Sequence, residues 1–140
     1  MIDQKTGCIT LSPTCQLKAG TTFDDVFALS LGEVQEVVDR GKGWRWLTVR
    51  NLEVDGYYLI LSLGFRANAL NLIELVTSQD RFDLTRDWDS WSESDERNLL
   101  NKLQDWLRNE LGHEGRFEWG YAQAIYDPKC GSSSISIRYQ

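Results

Sequence analysis

The chain has 140 residues, of which 41% are hydrophobic, 26% charged and 11% aromatic. That is the composition of one folded domain, not of a disordered or fibrous chain. Fifteen basic residues against 21 acidic ones give a net charge of −6, which argues against a protein that binds nucleic acid by neutralising phosphates.

No stretch approaches the roughly 18 apolar residues of a membrane helix. Met1-Ile-Asp-Gln-Lys5 lacks the basic region and apolar core of a signal peptide. The three cysteines, Cys8, Cys15 and Cys130, contain no CxxC pair. The expectation is a cytoplasmic protein with reduced thiols, no disulfide and no membrane partner.

In chain order, Cys8 to Ser12 alternates as a short strand that Pro13 interrupts and Cys15-Gln-Leu17 resumes. Thr21 or Thr22 caps a short helix with Asp24 and Asp25 in its first turn and Phe23, Val26 and Phe27 on its apolar face. Residues 33–43 are charged, end in Gly41-Lys-Gly43 and read as a loop. A long strand follows, with Trp44, Trp46, Thr48, Arg50, Leu52 and Val54 on one face and Arg45, Leu47, Val49 and Asn51 on the other. Asp55-Gly56 is a strong hairpin signal. Beyond it, Leu59, Leu61, Leu63 and Phe65 line one face of a buried strand, Ala67-Asn68 makes a weaker turn, and Leu70 to Val76 is a third strand.

Leu99, Leu100, Leu103, Trp106, Leu107 and Leu111 recur at helical spacing before Gly112, a natural helix stop. Ser92 with Asp95, or Ser90 with Glu93, fits a capping box. Phe117 to Ile125 alternates as a strand, Asp127-Pro128 turns, and Ser133 to Tyr139 closes the chain with Ile135, Ile137 and Tyr139 on one side. The pattern predicts a single α+β domain, residues 1–140. Its antiparallel sheet has about five to six strands, with one short and one long helix packed on one face.

Catalytic signatures are sparse. There is no glycine-rich phosphate loop, Gly-x-Ser-x-Gly or HExxH. His113, the one histidine, follows Gly112 at a helix end, where the dipole favours a partial positive charge. Asp87-Trp88-Asp89 lacks the twelve-residue calcium loop. No pair of carboxylates stands out as a hydrolase dyad. No catalytic residue, metal ligand or cofactor is therefore assigned.

The informative stretch is 77–96, where seven acidic residues face two arginines, a net of −5. Asp95 and Glu96 suit a helix N-terminus. Asp80, Asp83, Asp87 and Asp89 precede it. Trp88 and Trp91 lie among them, either pinning this loop to the sheet or standing as aromatic anchors ringed by carboxylates, as at tight protein interfaces. Such a patch steers a positively charged partner. The candidate partner-binding residues are Asp83, Asp87, Trp88, Asp89, Trp91 and Glu93.

Taken in order, Trp88-Asp-Ser-Trp91-Ser-Glu93, Glu96, Trp106-Leu107, Leu111-Gly112, Trp119-Gly120, Tyr126-Asp127-Pro128-Lys129 and Ser132-Ser-Ser-Ile-Ser-Ile-Arg138-Tyr139 resemble a group of small bacterial immunity proteins. These belong to contact-dependent growth inhibition and polymorphic-toxin loci. The likeness covers mainly residues 85–140, and more loosely Ile9 to Leu31. The resemblance implies binding rather than catalysis, in a one-to-one complex with a cognate toxin C-terminal domain, often a nuclease, and no direct contact with nucleic acid. It carries over no site residue, because immunity surfaces diverge with the toxin.

Two other readings follow from the residues. An antiparallel sheet covered on one side leaves the other open to a small ligand, with Trp44, Trp46, Tyr57 or Tyr121 as its lining, or to a homodimer. A cryptic enzyme would need a cleft holding carboxylates of unlike pKa.

Overall fold

The chain begins with a small hairpin, β1 (Ile9–Ser12) and β2 (Cys15–Leu17), followed by the single-turn helix α1 (Phe23–Phe27). In this computed structural model, which describes residues 1–84, 93–129 and 131–140, three two-residue turns then order four strands. Lys42-Gly43, Asp55-Gly56 and Ala67-Asn68 have positive φ at both positions, the mark of a turn whose twist suits paired strands. They join β3 (Val34–Gly41), β4 (Trp44–Val54), β5 (Tyr57–Arg66) and β6 (Ala69–Ser78). Helix α2 (Glu93–Leu111), β7 (Gly115–Phe117), β8 (Gly120–Asp127) and β9 (Ser132–Tyr139) complete the chain. The main sheet is antiparallel throughout, in the order β3-β4-β5-β6-β9-β8-β7.

The fold is α+β, with one short and one long helix, as the sequence pattern predicts. The main sheet has seven strands rather than five or six, with β1–β2 as a separate pair. The segment read as a loop, 33–43, is the edge strand β3. Most of its residues are exposed on both faces, so no alternation marks it, and only pairing with β4 makes it a strand. At the other edge, the run Phe117 to Ile125 is split. Glu118-Trp119 forms the turn between β7 and β8, so Trp119 does not alternate with Tyr121.

Register explains where the core lies. Leu47, Leu63, Ile73, Ile137 and Ala122 stand opposite one another across five strands. Val49, Leu61, Leu75, Ile135 and Ala124 form the next such row. All ten are buried. Helix α2 packs on β8 and β9 through Leu103, Trp106, Leu107 and Leu111. The two alanines of β8 face it and let it approach closely.

The short helix is capped by Thr22, whose hydroxyl accepts from the Asp25 amide at 3.3 Å. It seats Phe23 edge-on against Phe65 at 5.4 Å. Phe27 departs from the predicted apolar face. At 46% exposure it stacks on Phe23 from outside, because a one-turn helix buries only its inner residues. Gly112 ends α2 as expected, with φ +84° and its amide bonded to the Arg108 carbonyl at 2.7 Å. Cys8 and Cys15 are free thiols.

In β4 the predicted faces hold only up to Arg50. A bulge at Asn51, with φ +54°, exchanges them, so Leu52 pairs with buried Leu59 and Val54 is itself buried. The expectation that Val54 shares a face with Trp44 and Trp46 fails because the strand carries one extra residue.

Trp119 lies over Gly7, stacks on Phe117 at 5.0 Å, and donates to the Gln4 carbonyl at 2.9 Å. Gly120 lies at a close backbone approach: a Cβ there would sit 1.9 Å from the Arg138 carbonyl oxygen. Gly56 also has a positive φ but open space around it. Gly56→Ala should cost about 1 kcal/mol, and Gly120→Ala at least about 3 kcal/mol. Urea unfolding measures both, and equal losses would mean that the φ angle, not the β8–β9 approach, sets the requirement.

Candidate functional site

The acidic stretch is entered through a clamp built on the β4 bulge. The extra residue turns the buried Asn51 side chain to the chain beyond β6. Its Nδ2 donates to the Phe82 carbonyl at 3.0 Å and its Oδ1 accepts from the Phe82 amide at 2.9 Å. The side chain thus satisfies both main-chain groups of residue 82, as a neighbouring strand would.

Beside it, the Arg81 guanidinium grips Glu33 with two bonds, Nε at 2.6 Å and Nη2 at 2.5 Å. Asn51 Nδ2 also reaches Glu33 at 3.4 Å. Arg81 holds the Glu33 carboxyl below the usual carboxylate range, since the bonded ion pair favours the charged form. At the far end, Glu96 in the first turns of α2 accepts from the Ser133 amide at 3.0 Å through its carboxylate. Its carbonyl accepts from the Ser133 hydroxyl at 2.9 Å. The stretch is therefore fastened at 81–82 to the β3–β4 side of the sheet and at 96 to β9.

Of the predicted contact residues, Asp83 is exposed directly after the Asn51 clamp. Glu93 is the first residue of α2. Asp87, Trp88, Asp89 and Trp91 lie outside the described residues, as do Ser90 and Ser92 of the predicted capping boxes and Cys130. Neither clamp was anticipated. Asn51 reads as one more residue of a strand, and its partner lies 31 positions away.

The second predicted surface is better defined. Trp44 and Trp46 stack with ring centroids 6.3 Å apart, on the face of β4 opposite Leu47 and Val49. Tyr121 stands on that same face of β8, opposite Arg138. None of the described helices covers it. Tyr57 does not belong to this lining: it packs edge-on against Trp106 of α2 at 6.4 Å.

A cleft of about 490 Å³ lies between α2 and the chain after β6, lined by Tyr57, Phe82 and Trp106 together with Asp80, Lys102 and Asp105. Among the described residues no group of three His, Cys, Asp or Glu side chains is placed to hold a metal ion. No helix among them is long and apolar enough to cross a membrane. Compared with family models, with curated proteins and with solved structures, the chain matches none.

Two outcomes test the clamp. Asn51→Ala should cost about 2 kcal/mol by leaving both main-chain groups of residue 82 unpaired. It should also speed amide exchange at Phe82, while a global loss without that local change would place Asn51 in the core only. The second outcome concerns pH. The Glu33 pKa is lowered in the folded state, so its contribution is present above its ordinary value of 4.5 and lost as the pH falls through the lowered one. The stability difference between the parent and Glu33→Gln should be full near about pH 6 and vanish near about pH 2. A constant difference would show that the Arg81 pair does not depend on the charge.

Proposed function

We propose that this is a binding protein of the immunity class, one that occludes a cognate toxin domain and carries out no chemistry itself. The observation that carries the reading is the double fastening of the acidic stretch. Phe82 is held by Asn51 and Glu96 by Ser133. Between those anchors the sequence places Asp83, Asp87, Trp88, Asp89, Trp91 and Glu93.

Anchors at both ends lessen the entropy lost when such a segment docks. Its negative charge speeds encounter with a basic surface, and its tryptophans supply apolar contact area. The resemblance of residues 85–140 to immunity proteins points the same way. The cytoplasm, where such a protein meets an imported toxin, belongs to the same reading.

A second reading, a small-ligand binding protein that uses the open sheet face, has an observation of its own. Trp44, Trp46 and Tyr121 stand on a face that none of the described elements covers.

The first reading is tested by a pull-down from the source organism at low salt, a salt titration of whatever is retained, and an assay of that fragment's activity with and without the chain. One basic toxin fragment, retained one-to-one and silenced by the chain, is the expected result. Replacing Asp83, Asp87 and Asp89 together with Asn should weaken the complex at least about tenfold at low salt and flatten its salt dependence. Unchanged affinity in that variant removes the acidic stretch as the contact. A chain that leaves the toxin active removes the reading.

A further inference from the structure

One lateral row crosses all seven strands on the open face: Val38, Trp46, Gly64, Leu72, Arg138, Tyr121 and Arg116. The row beside it, Glu36, Thr48, Ser62, Glu74, Ser136 and Gln123, is wholly polar. The first row thus brings two aromatic and two cationic side chains together beside a polar one.

Gly64 shapes its centre. A Cβ at that position would sit 3.0–3.2 Å from three benzo-ring atoms of Trp46, so the indole lies over the glycine rather than standing off the sheet. Beside it opens a cleft of about 500 Å³ whose lining includes Trp44, Trp46, Arg40, Lys42, Arg66 and Arg138. Asn71 and Leu72 complete its floor, and no acidic residue lines it.

The charge here is anomalous for this molecule. Three cations elsewhere are matched: Arg81 pairs with Glu33, Arg50 with Glu36 and Arg108 with Glu114. Among the described residues, none of the four cations in the cleft has such a partner. In a chain of net charge −6, four unmatched cations around two indoles repel one another and attract an anion.

We propose that this cleft binds a nucleotide, with the base on the tryptophan pair and the phosphates held by Arg66, Arg138, Arg40 and Lys42. Indole faces stack on any nucleobase, and guanidinium forks suit phosphate oxygens. An acidic peptide fits less well, because the backbone of β4, β5, β6 and β9 under the cleft is engaged in its ladders and leaves only the outer edge of β3 for main-chain bonds. The inference rests on the second reading above and is independent of the toxin reading.

The test is calorimetric titration of the intact chain at low salt with ADP, adenosine, pyrophosphate and pentathymidylate. ADP is expected to bind with a Kd below about 1 mM, at least about tenfold tighter than adenosine or pyrophosphate alone. Arg66→Gln with Arg138→Gln should weaken it about tenfold or more. Both side chains are exposed, so circular dichroism should show an unchanged fold. Trp46→Leu should remove the advantage of ADP over pyrophosphate. Pentathymidylate binding more tightly than ADP assigns the nucleotide to a single strand, and the reverse order assigns it to the free pool.

Pyrophosphate binding as tightly as ADP, or ADP binding that ignores all three substitutions, overturns the proposal. A sulfated sugar or an acidic peptide that binds where ADP does not overturns the nucleotide but leaves the open-face ligand reading. No heat with any of these probes removes both.

Discussion

Two rows of aliphatic side chains, each five strands wide, hold this molecule together. Each fully buried leucine, isoleucine or valine in them contributes about 1.5–3 kcal/mol of transfer free energy. Because side chains alternate along a strand, fixing those rows fixes what the other face presents. The helices and the small hairpin all join the core on the aliphatic side, where their apolar residues can be buried. The opposite face is left with tryptophans, arginines and polar residues among scattered aliphatic ones such as Val38, Ile60 and Val76. The asymmetry of the sheet thus sets both candidate surfaces: the uncovered face, and the acidic stretch fastened at 81–82 to the β3–β4 side and at 96 to β9.

Much of the architecture was legible in local sequence. Asp55-Gly56, the odd-numbered leucines of β5, the leucine spacing of α2 and its Gly112 stop all act within a few residues of themselves. What escaped notice depends on distant partners. Val34 to Gly41 is a strand only because β4 lies beside it, and its exposure on both faces erases any period. The Asn51 bulge shifts the second half of β4 by one residue, which no alternation count contains. Trp119 falls in a turn rather than in the strand that the alternation of Phe117 to Ile125 suggests, held by Gln4 and Gly7 from the other end of the chain.

The candidate sites divide in the same way. The acidic stretch is contiguous, so its charge was plain, while its anchors come from Asn51, Glu33 and Ser133 and were not. The cationic cleft was hidden altogether. Arg40, Arg66 and Arg138 lie far apart in the chain, and they converge because β9 inserts between β6 and β8. Overall acidity masked this corner: a net charge describes the molecule, not its parts. The sign of a partner therefore has to be argued for each surface separately.

The exposure of β3 has a dynamic consequence. An edge strand with little buried area and one neighbour belongs to the least stable part of a fold and opens without global unfolding. Glu33 sits at its threshold, its amide bonded to the Arg50 carbonyl and its carboxylate to Arg81. When β3 peels from β4, Glu33 leaves with it and Arg81 loses its counterion, while Asn51, inside β4, keeps Phe82. The acidic stretch therefore has a two-stage tether, in which a weak electrostatic latch releases with the edge strand and an amide latch releases only with the sheet.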